Sequence, residues 1–298
     1  MDLLQLKYFQ TVAKHEHITR AAEELHIAQP SLSKVITRLE EELGVSLFDR
    51  IGRQIKLNRF GKAFLQRVAK AFLELEDGKR ELCDMQGNEK PVINLAFNNF
   101  YSFAKILTGY AKLYPQTSFR QTIGSTAKMR QQLLNGDIDF GIASPPIEGD
   151  SIESIPLFTE EVFLLVPHGH KFANCENIKL MEAAHEPFIS LKEGFGLRDL
   201  TEGFCRQAGF TPNIAFESDI ALNLIDLVNS NLGIALLPIV QWSTLPENLP
   251  VALHITEPLC NRTTALSFLQ GRYLPQAAKE FEDYLLTYFK QQEQTAAP

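Results

Sequence analysis

Residues 19–48 read TRAAEELHIAQPSLSKVITRLEEELGVSLF, and the order of apolar and helix-breaking residues in this stretch decides the fold of the N-terminal part. A short helical pattern ends near Leu25, and a longer one begins at Gln29-Pro30, because proline is well tolerated at the start of a helix. Gly44 is a typical stop for the longer helix. Together with an earlier helix that Asp2 can cap, this pattern predicts a helix-turn-helix, whose last helix offers its N-terminal residues to the major groove of DNA.

The next residues predict a hairpin and a long helix. The stretch 45–57 has two short apolar runs on either side of a basic tip, which indicates a β-hairpin. A helical pattern then runs from Asn58 to about Met85, and its apolar residues recur at alternating spacings of three and four, as in a coiled coil. These seam residues are Leu65, Val68, Phe72, Leu75 and Leu82. We predict that the seam pairs with a second subunit, and the alternative is that it packs on its own domain.

The chain changes character after the polar run 86–91, which we interpret as a hinge. From here, apolar runs of strand length alternate with helix-length segments, which indicates an α/β fold with largely parallel sheets. The runs are residues 92–97, 119–123, 140–143, 162–166, 188–191, 214–216 and 234–237.

The composition is that of a soluble globular protein, with 22% charged residues and a net charge of -7 at pH 7. Residues 1–60 contain nine Lys or Arg and eight Asp or Glu, so the acidic excess lies outside this segment and does not exclude DNA binding there. No basic segment leads into an apolar run at the N-terminus, and the four cysteines form no C-x-x-C pair. We therefore expect a cytoplasmic protein without a membrane segment, a disulfide framework or a zinc site.

Residues 19–25, 28–33 and 39–48, with Arg50, strongly resemble the LysR-type transcriptional regulators. Residues 136–142 (GDIDFGI) and 233–238 (GIALLP) look like the effector-domain signatures of that family. Residues 193–198 (EGFGLR) and 205–210 (CRQAGF) are similar to the branch that contains regulators of glutamate synthase genes.

The resemblance implies an α+β multidomain protein. Its parts would be a winged helix-turn-helix (1–58), a linker helix and hinge (59–90), and a two-lobed α/β effector-binding domain of the periplasmic-binding-protein type (91–298). Lobe I would comprise residues 91–162 and 265–298, and lobe II residues 163–264. It also implies a regulator that binds a double-stranded DNA operator as a homodimer or dimer of dimers and answers to a small effector, with RNA polymerase as a further candidate partner.

The same resemblance places DNA contacts on the third helix, the start of the second helix and the wing. These residues are Thr19, Arg20, Gln29, Pro30, Ser31, Ser33, Lys34, Arg38, Arg50 and Arg53. The alternative for each is an ordinary solvated surface position. Lys34 stands where many relatives carry arginine, and because lysine lacks a bidentate fork, we expect it to contact phosphate more than guanine.

Candidate effector-binding residues lie just beyond the ends of predicted strands, where open α/β sheets bind ligands. They are Asn98, Asn99, Phe100, Ser102, Ser125, Thr126 and Arg198. Ser125 and Thr126 open a helix, where hydroxyls and free N–H groups suit a carboxylate or phosphate, although simple N-capping is the alternative. For Arg198 the alternative is a salt bridge. We expect a small anionic effector, such as a carboxylate.

Several motifs of enzymes and metalloproteins are incomplete in this chain. Two S-x-x-K matches lack the partner motifs of serine hydrolases, and Gly194-Phe-Gly196 lacks the third glycine of a dinucleotide loop. His168 and His170 have no further metal ligand at a recognised spacing. We expect no enzyme activity, cofactor or metal. Two other classes stay open, a solute-binding protein of the periplasmic-binding-protein type and an α/β enzyme.

Overall fold

The computed structural model of the chain describes residues 1–51, 54–87, 90–98, 104–238 and 248–296, which fall into two compact units, Met1–Leu82 and Cys83–Pro298. The first unit contains helices α1 (Leu3–His15), α2 (Ile18–Glu24) and α3 (Gln29–Leu43) and strands β1 (Phe48–Ile51) and β2 (Gln54–Leu57). Most of helix α4 (Arg59–Gln86) also belongs to it. This order of elements confirms the winged helix-turn-helix followed by a long linker helix.

Local capping residues explain where these helices begin and end. The Asp2 carboxylate accepts a hydrogen bond from the Gln5 N–H at 2.8 Å, and the Gln5 side-chain oxygen accepts one from the Asp2 N–H at 2.9 Å. Gly44 ends α3 in the left-handed conformation, with φ of 70°. Asn58 accepts from the Gly61 N–H at 3.0 Å and so caps the start of α4.

The apolar seam of α4 divides into two parts. Val68 is buried in the core of the first unit, and Leu65 and Phe72 pack against that core. Leu75 and Leu82, farther along the helix, are 46% and 62% exposed. The beginning of the seam therefore has a partner in its own domain, which is the alternative that the spacing left open. Leu75 and Leu82 stay candidates for an interface.

The second unit contains eleven strands and five helices among its described residues. They are β3 (Val92–Phe97), α5 (Ala104–Leu113), β4 (Ser118–Ile123), α6 (Thr126–Asn135), β5 (Phe140–Ala143), β6 (Ile152–Glu161), β7 (Phe163–Val166), β8 (Asn177–Lys179), β9 (Pro187–Leu191), α7 (Gly196–Gln207), β10 (Asn213–Ser218), α8 (Ala221–Asn229), β11 (Ala235–Leu237), β12 (Val251–Glu257), β13 (Asn261–Leu269) and α9 (Gln276–Ala296).

The sheets are mixed, so the expectation of largely parallel sheets was wrong. One sheet has the order β4-β3-β5-β13-β6, with β13 antiparallel to both neighbours, and the other has the order β11-β7-β12-β8. Strands β9 and β10 form a separate parallel pair. The apolar runs failed to predict β6, β8, β12 and β13, because polar residues interrupt each strand, at partly exposed positions in β6, β8 and β12 and mainly at buried positions in β13.

Two of the hydrophobic clusters in the second unit mark its two lobes. One core includes Ile93, Phe158, Leu266 and Phe281, so it draws on chain segments that precede and follow the other lobe. The core of the other lobe runs from Val162 to Cys260. The paired strands β6 and β13 lead from one core to the other, and the Val162 N–H donates to the Cys260 carbonyl at 2.8 Å where they cross.

Candidate DNA interface and effector cleft

Helix α3 presents a polar face that its buried face holds in position. Leu32, Ile36 and Leu39 recur at spacings of four and three and are at most 5% exposed, so the opposite side must face solvent. A shallow groove runs along that side and is lined by Gln29, Pro30, Ser33, Lys34, Thr37, Arg38 and Glu41. The structure thus brings most of the predicted third-helix contacts together on one surface.

The start of α3 suits contact with DNA. Gln29, Pro30 and Ser31 are exposed there, and within the described chain no side chain caps this helix end. Its unpaired N–H groups and the positive end of the helix dipole favour negatively charged groups. The cations of Lys34 and Arg38 lie exposed one and two turns farther along.

The remaining predicted DNA contacts lie on two neighbouring elements. Thr19 and Arg20 are exposed at the start of α2, where the His17 side chain accepts from the Arg20 N–H at 3.4 Å. The Arg50 side chain and all of Arg53 lie outside the described residues, although the backbone of Arg50 belongs to β1.

Two carboxylates that the sequence patterns did not single out hold the root of the hairpin. Glu40 accepts from the N–H groups of Leu47 and Phe48, at 2.6 and 3.2 Å. Glu16 accepts from the Leu57 N–H at 3.0 Å. Neither could be recognised in advance, because Glu16 lies in a polar turn and Glu40 opens a run of three glutamates that looks like a solvated helix face.

The predicted effector residues of lobe I form a connected polar group. The Asn98 side chain donates to the Thr126 hydroxyl at 2.7 Å and accepts from the Ser144 N–H at 3.1 Å. Ser125 accepts from the Lys128 N–H at 3.3 Å, which is the N-capping that the sequence left as the alternative. Asn99, Phe100 and Ser102 lie outside the described residues.

Lobe II approaches this group through the start of α7. A Cβ atom on Gly196 would lie 2.4 Å from the Ser144 carbonyl oxygen and 2.3 Å from Pro145 Cδ, and one on Gly194 would lie 3.8 Å from the Ser125 Cβ. Ser144 is 2% exposed, and its hydroxyl has no hydrogen-bond partner among the described residues. The N-termini of α6 and α7 and a free hydroxyl therefore meet between the lobes.

Arg198 forms two ion pairs inside lobe II. It is 8% exposed, and its guanidinium binds the carboxylates of Glu202 and Glu217 and donates to the Leu191 carbonyl. Two negative charges already neutralise this cation. The structure shows the salt bridge that the sequence left as the alternative, so Arg198 offers the cleft no free charge.

Within the described ranges, no group of three or more His, Cys, Asp or Glu side chains could hold a metal ion. None of the described helices combines the length and the hydrophobicity that crossing a bilayer requires.

Two family models match the chain. The model described as "Bacterial regulatory helix-turn-helix protein, lysR family" matches residues 3–62, and the "LysR substrate binding domain" matches residues 90–290. The uncharacterized HTH-type transcriptional regulator YybE of Bacillus subtilis is 34% identical over 294 residues, which are 98% of this chain and 100% of YybE. The transcriptional dual regulator GltC of the same organism is 31% identical over 298 residues, with 99% of each chain covered.

Solved structures of LysR-type regulators have the same fold as this chain. The effector binding domain of QuiR in complex with shikimate is 25% identical, with a TM-score of 0.63, and the match covers 68% of this chain and 99% of that chain. Full-length CbnR complexed with its target DNA is 20% identical, with a TM-score of 0.63 over 96% and 99% of the two chains, which shows the fold. This chain belongs to the LysR family and is a DNA-binding transcriptional regulator with a C-terminal effector-binding domain.

Proposed function

We propose that the chain binds its operator with the start of α3 in the major groove and the wing on the flanking backbone, and that a small carboxylate between the two lobes controls this binding. The exposed polar start of α3, held outward by a buried apolar face, is the observation that carries the DNA part. We also propose that the protein is located in the cytoplasm and has no catalytic activity. Its proposed domains are the winged helix-turn-helix (1–58), the linker helix and hinge (59–90) and the effector-binding domain (91–298). Binding to RNA polymerase, and membership of the branch that contains regulators of glutamate synthase genes, stay predictions.

Gln29 and Ser33 are the side chains best suited to read bases. Glutamine can bond adenine with both its donor and its acceptor, and Ser33 lies one turn farther along the groove. Lys34 and Arg38 supply charge to the phosphates on either side. The acidic Glu41 closes the groove, so base reading belongs to the first two turns of the helix.

Replacing Gln29 with alanine tests this docking. We expect affinity for the tightest duplex selected from a random library to fall by about 1–3 kcal/mol, the worth of one bidentate base contact. Gln66→Ala is the matched control, because Gln66 is an exposed glutamine on α4, away from the groove. Equal affinities of the two variants would refute the placement of α3.

The cleft favours an anion with a hydroxyl or carboxylate that can use Ser144. Two helix N-termini point positive potential at the same place, and neither Asn98 nor Thr126 carries a charge that would compete. The buried Ser144 hydroxyl gains a partner when such a ligand enters. The shikimate bound by QuiR is a hydroxylated carboxylate, which supports this class of ligand for the present chain.

Ser144→Ala tests the cleft without disturbing the fold. Since the hydroxyl has no partner among the described residues, its removal should leave the melting temperature of the free protein unchanged. The affinity for a carboxylate should fall by about 0.5–1.5 kcal/mol, which is the typical contribution of one hydrogen bond. Calorimetry with shikimate and small dicarboxylates, with their neutral amides as controls, measures this. The placement of the effector in the cleft is wrong if no carboxylate binds at millimolar concentration, or if a carboxylate binds the wild type and the variant with equal affinity.

We propose that the chain assembles as a homodimer, or as a dimer of dimers, through the far part of α4. Leu75 and Leu82 are large apolar side chains exposed on the same long helix and separated by one heptad. Covering them with a second copy removes apolar surface from water. Two subunits also let two recognition helices reach two half-sites of an operator.

A further inference from the structure

The wing is too small to hold its own position. Its strands β1 and β2 have four residues each, and Phe48 pairs with Leu57 at the open end. An isolated two-stranded hairpin is marginally stable in water. Its outer edges also leave N–H groups without a strand partner. Burial of Leu47 and Phe48 in the core of the first unit anchors the base of the hairpin, and two carboxylates fix the edges of its strands.

Glu40 holds one edge of the hairpin from the recognition helix. Leu47 and Phe48 are 1% and 8% exposed, so their N–H groups are removed from water and need an acceptor. A single carboxylate oxygen of Glu40 accepts from both. A charged acceptor makes these bonds stronger than neutral ones.

Glu16 holds the opposite edge from the end of α1. It accepts from the Leu57 N–H, 41 residues away in sequence. Glu16 has a φ of 47°, a left-handed conformation that is uncommon for glutamate. The bond to Leu57 offsets the cost of that conformation. The terminal pair of the hairpin is thus held on both sides by carboxylates, one from α3 and one from the residue that follows α1.

We propose that Glu16 and Glu40 are positioning residues that set the angle of the wing against α3, and so the spacing between groove and flanking contacts on DNA. This inference rests on the proposed docking of α3. Glu40 lies two turns after Ser33 on the same helix, with a crevice of about 40 Å³ between that helix and the wing. The helix that reads the bases therefore also holds the wing at its root.

The sign of the change in DNA affinity distinguishes a positioning role of the two glutamates from a purely electrostatic one. Removing a carboxylate near DNA reduces repulsion of the phosphates, so charge alone predicts tighter binding by Glu40→Ala and Glu16→Ala. Loosening of the wing predicts weaker binding, because DNA must then order a hairpin whose edges the free protein holds less firmly. Glutamine removes the charge but keeps an oxygen that can accept both N–H groups.

The test uses the full chain, the tightest duplex selected by the wild type from a random library, and hydroxyl-radical footprinting. Both alanine variants should bind about tenfold more weakly, the usual size of an ordering cost of this kind. They should lose the outer protections and keep the central ones. The glutamine variants should bind at least as tightly as the wild type. Glu23→Ala, an exposed carboxylate on α2, is the matched control for charge.

Amide exchange of the free protein gives a readout independent of DNA. Exchange should quicken at Leu47 and Phe48 in Glu40→Ala and at Leu57 in Glu16→Ala, with α2 and α3 unchanged. Unchanged exchange and footprints in both alanine variants would overturn the proposal, as would uniform weakening across the site. If the alanine variants fail to fold, the glutamine variants decide, and weaker binding by them overturns it. If the wild-type protein protects no DNA, the docking of α3 is refuted instead. The exchange data then still test whether Glu16 and Glu40 hold the hairpin.

Discussion

Replacing Gly196 with alanine should force the two lobes apart, because the first residue of α7 lies against lobe I. The new Cβ atom would stand 2.4 Å from the Ser144 carbonyl oxygen and 2.3 Å from Pro145 Cδ, about 1 Å closer than packed atoms approach. Both contacts are backbone or ring atoms that cannot rotate away. Overpacking of this kind costs about 1–3 kcal/mol, and the better helix propensity of alanine returns at most about 1 kcal/mol.

The matched control is Gly203→Ala on the same helix, where a new Cβ meets nothing within 4 Å. For a unit of this size, 1 kcal/mol shifts the melting temperature by about 2–4 °C. Calorimetry of the full chain should therefore show a lower melting temperature for Gly196→Ala and an equal or higher one for Gly203→Ala. Carboxylate affinity should fall only in the former, since an opened cleft loses contacts from one lobe. Identical melting temperatures in the two variants would refute the close approach.

Three further changes have defined outcomes. Leu75→Asp combined with Leu82→Asp should convert dimers to monomers in light scattering while the circular dichroism spectrum shows that the chain stays folded, and a folded dimer would exclude this part of α4 as the interface. Arg198→Ala should destabilise the effector unit by about 1–2 kcal/mol in urea unfolding, because it leaves a buried carbonyl without its donor, whereas water can solvate the two partly exposed carboxylates; a neutral result would mean that solvent replaces all three bonds. Burial raises the pKa of the Cys205 and Cys260 thiols to about 12, so iodoacetamide at neutral pH should label only the two exposed cysteines of the native chain, as mass spectrometry can count.

Sequence alone predicts an element well when its signals are local. The bounds of α3 follow from Pro30 and Gly44, which act within one turn of where they stand. Strands β6 and β13 could not be predicted in this way. Their pairing joins residues about a hundred positions apart, and neither strand is a continuous apolar run, because β6 lies at the sheet edge and β13 buries Arg262 and Thr264. Apolar runs detect most readily the strands that are covered on both faces, such as β5 and β7.

The same limit applies to the site. Ser125 was predicted from its place after a strand, and the structure puts it at a helix start facing lobe II. Of the two carboxylates that pair with Arg198, Glu217 lies on β10, and no local pattern connects that strand to α7. An apolar spacing of three and four is also the same whether a helix packs on its own domain or on a second copy, so Val68 and Leu82 looked alike in sequence.

The split construction of lobe I fixes the order in which a ribosome can complete this protein. Its core needs strand β13 and helix α9, so it cannot close until residues 261–296 have left the exit tunnel, whereas lobe II is one continuous stretch that can fold earlier. The first unit is finished long before either, because domains fold as they emerge. A stalled or prematurely ended translation product would thus carry the recognition helix without its sensor. In such a fragment, DNA binding would escape control by the effector.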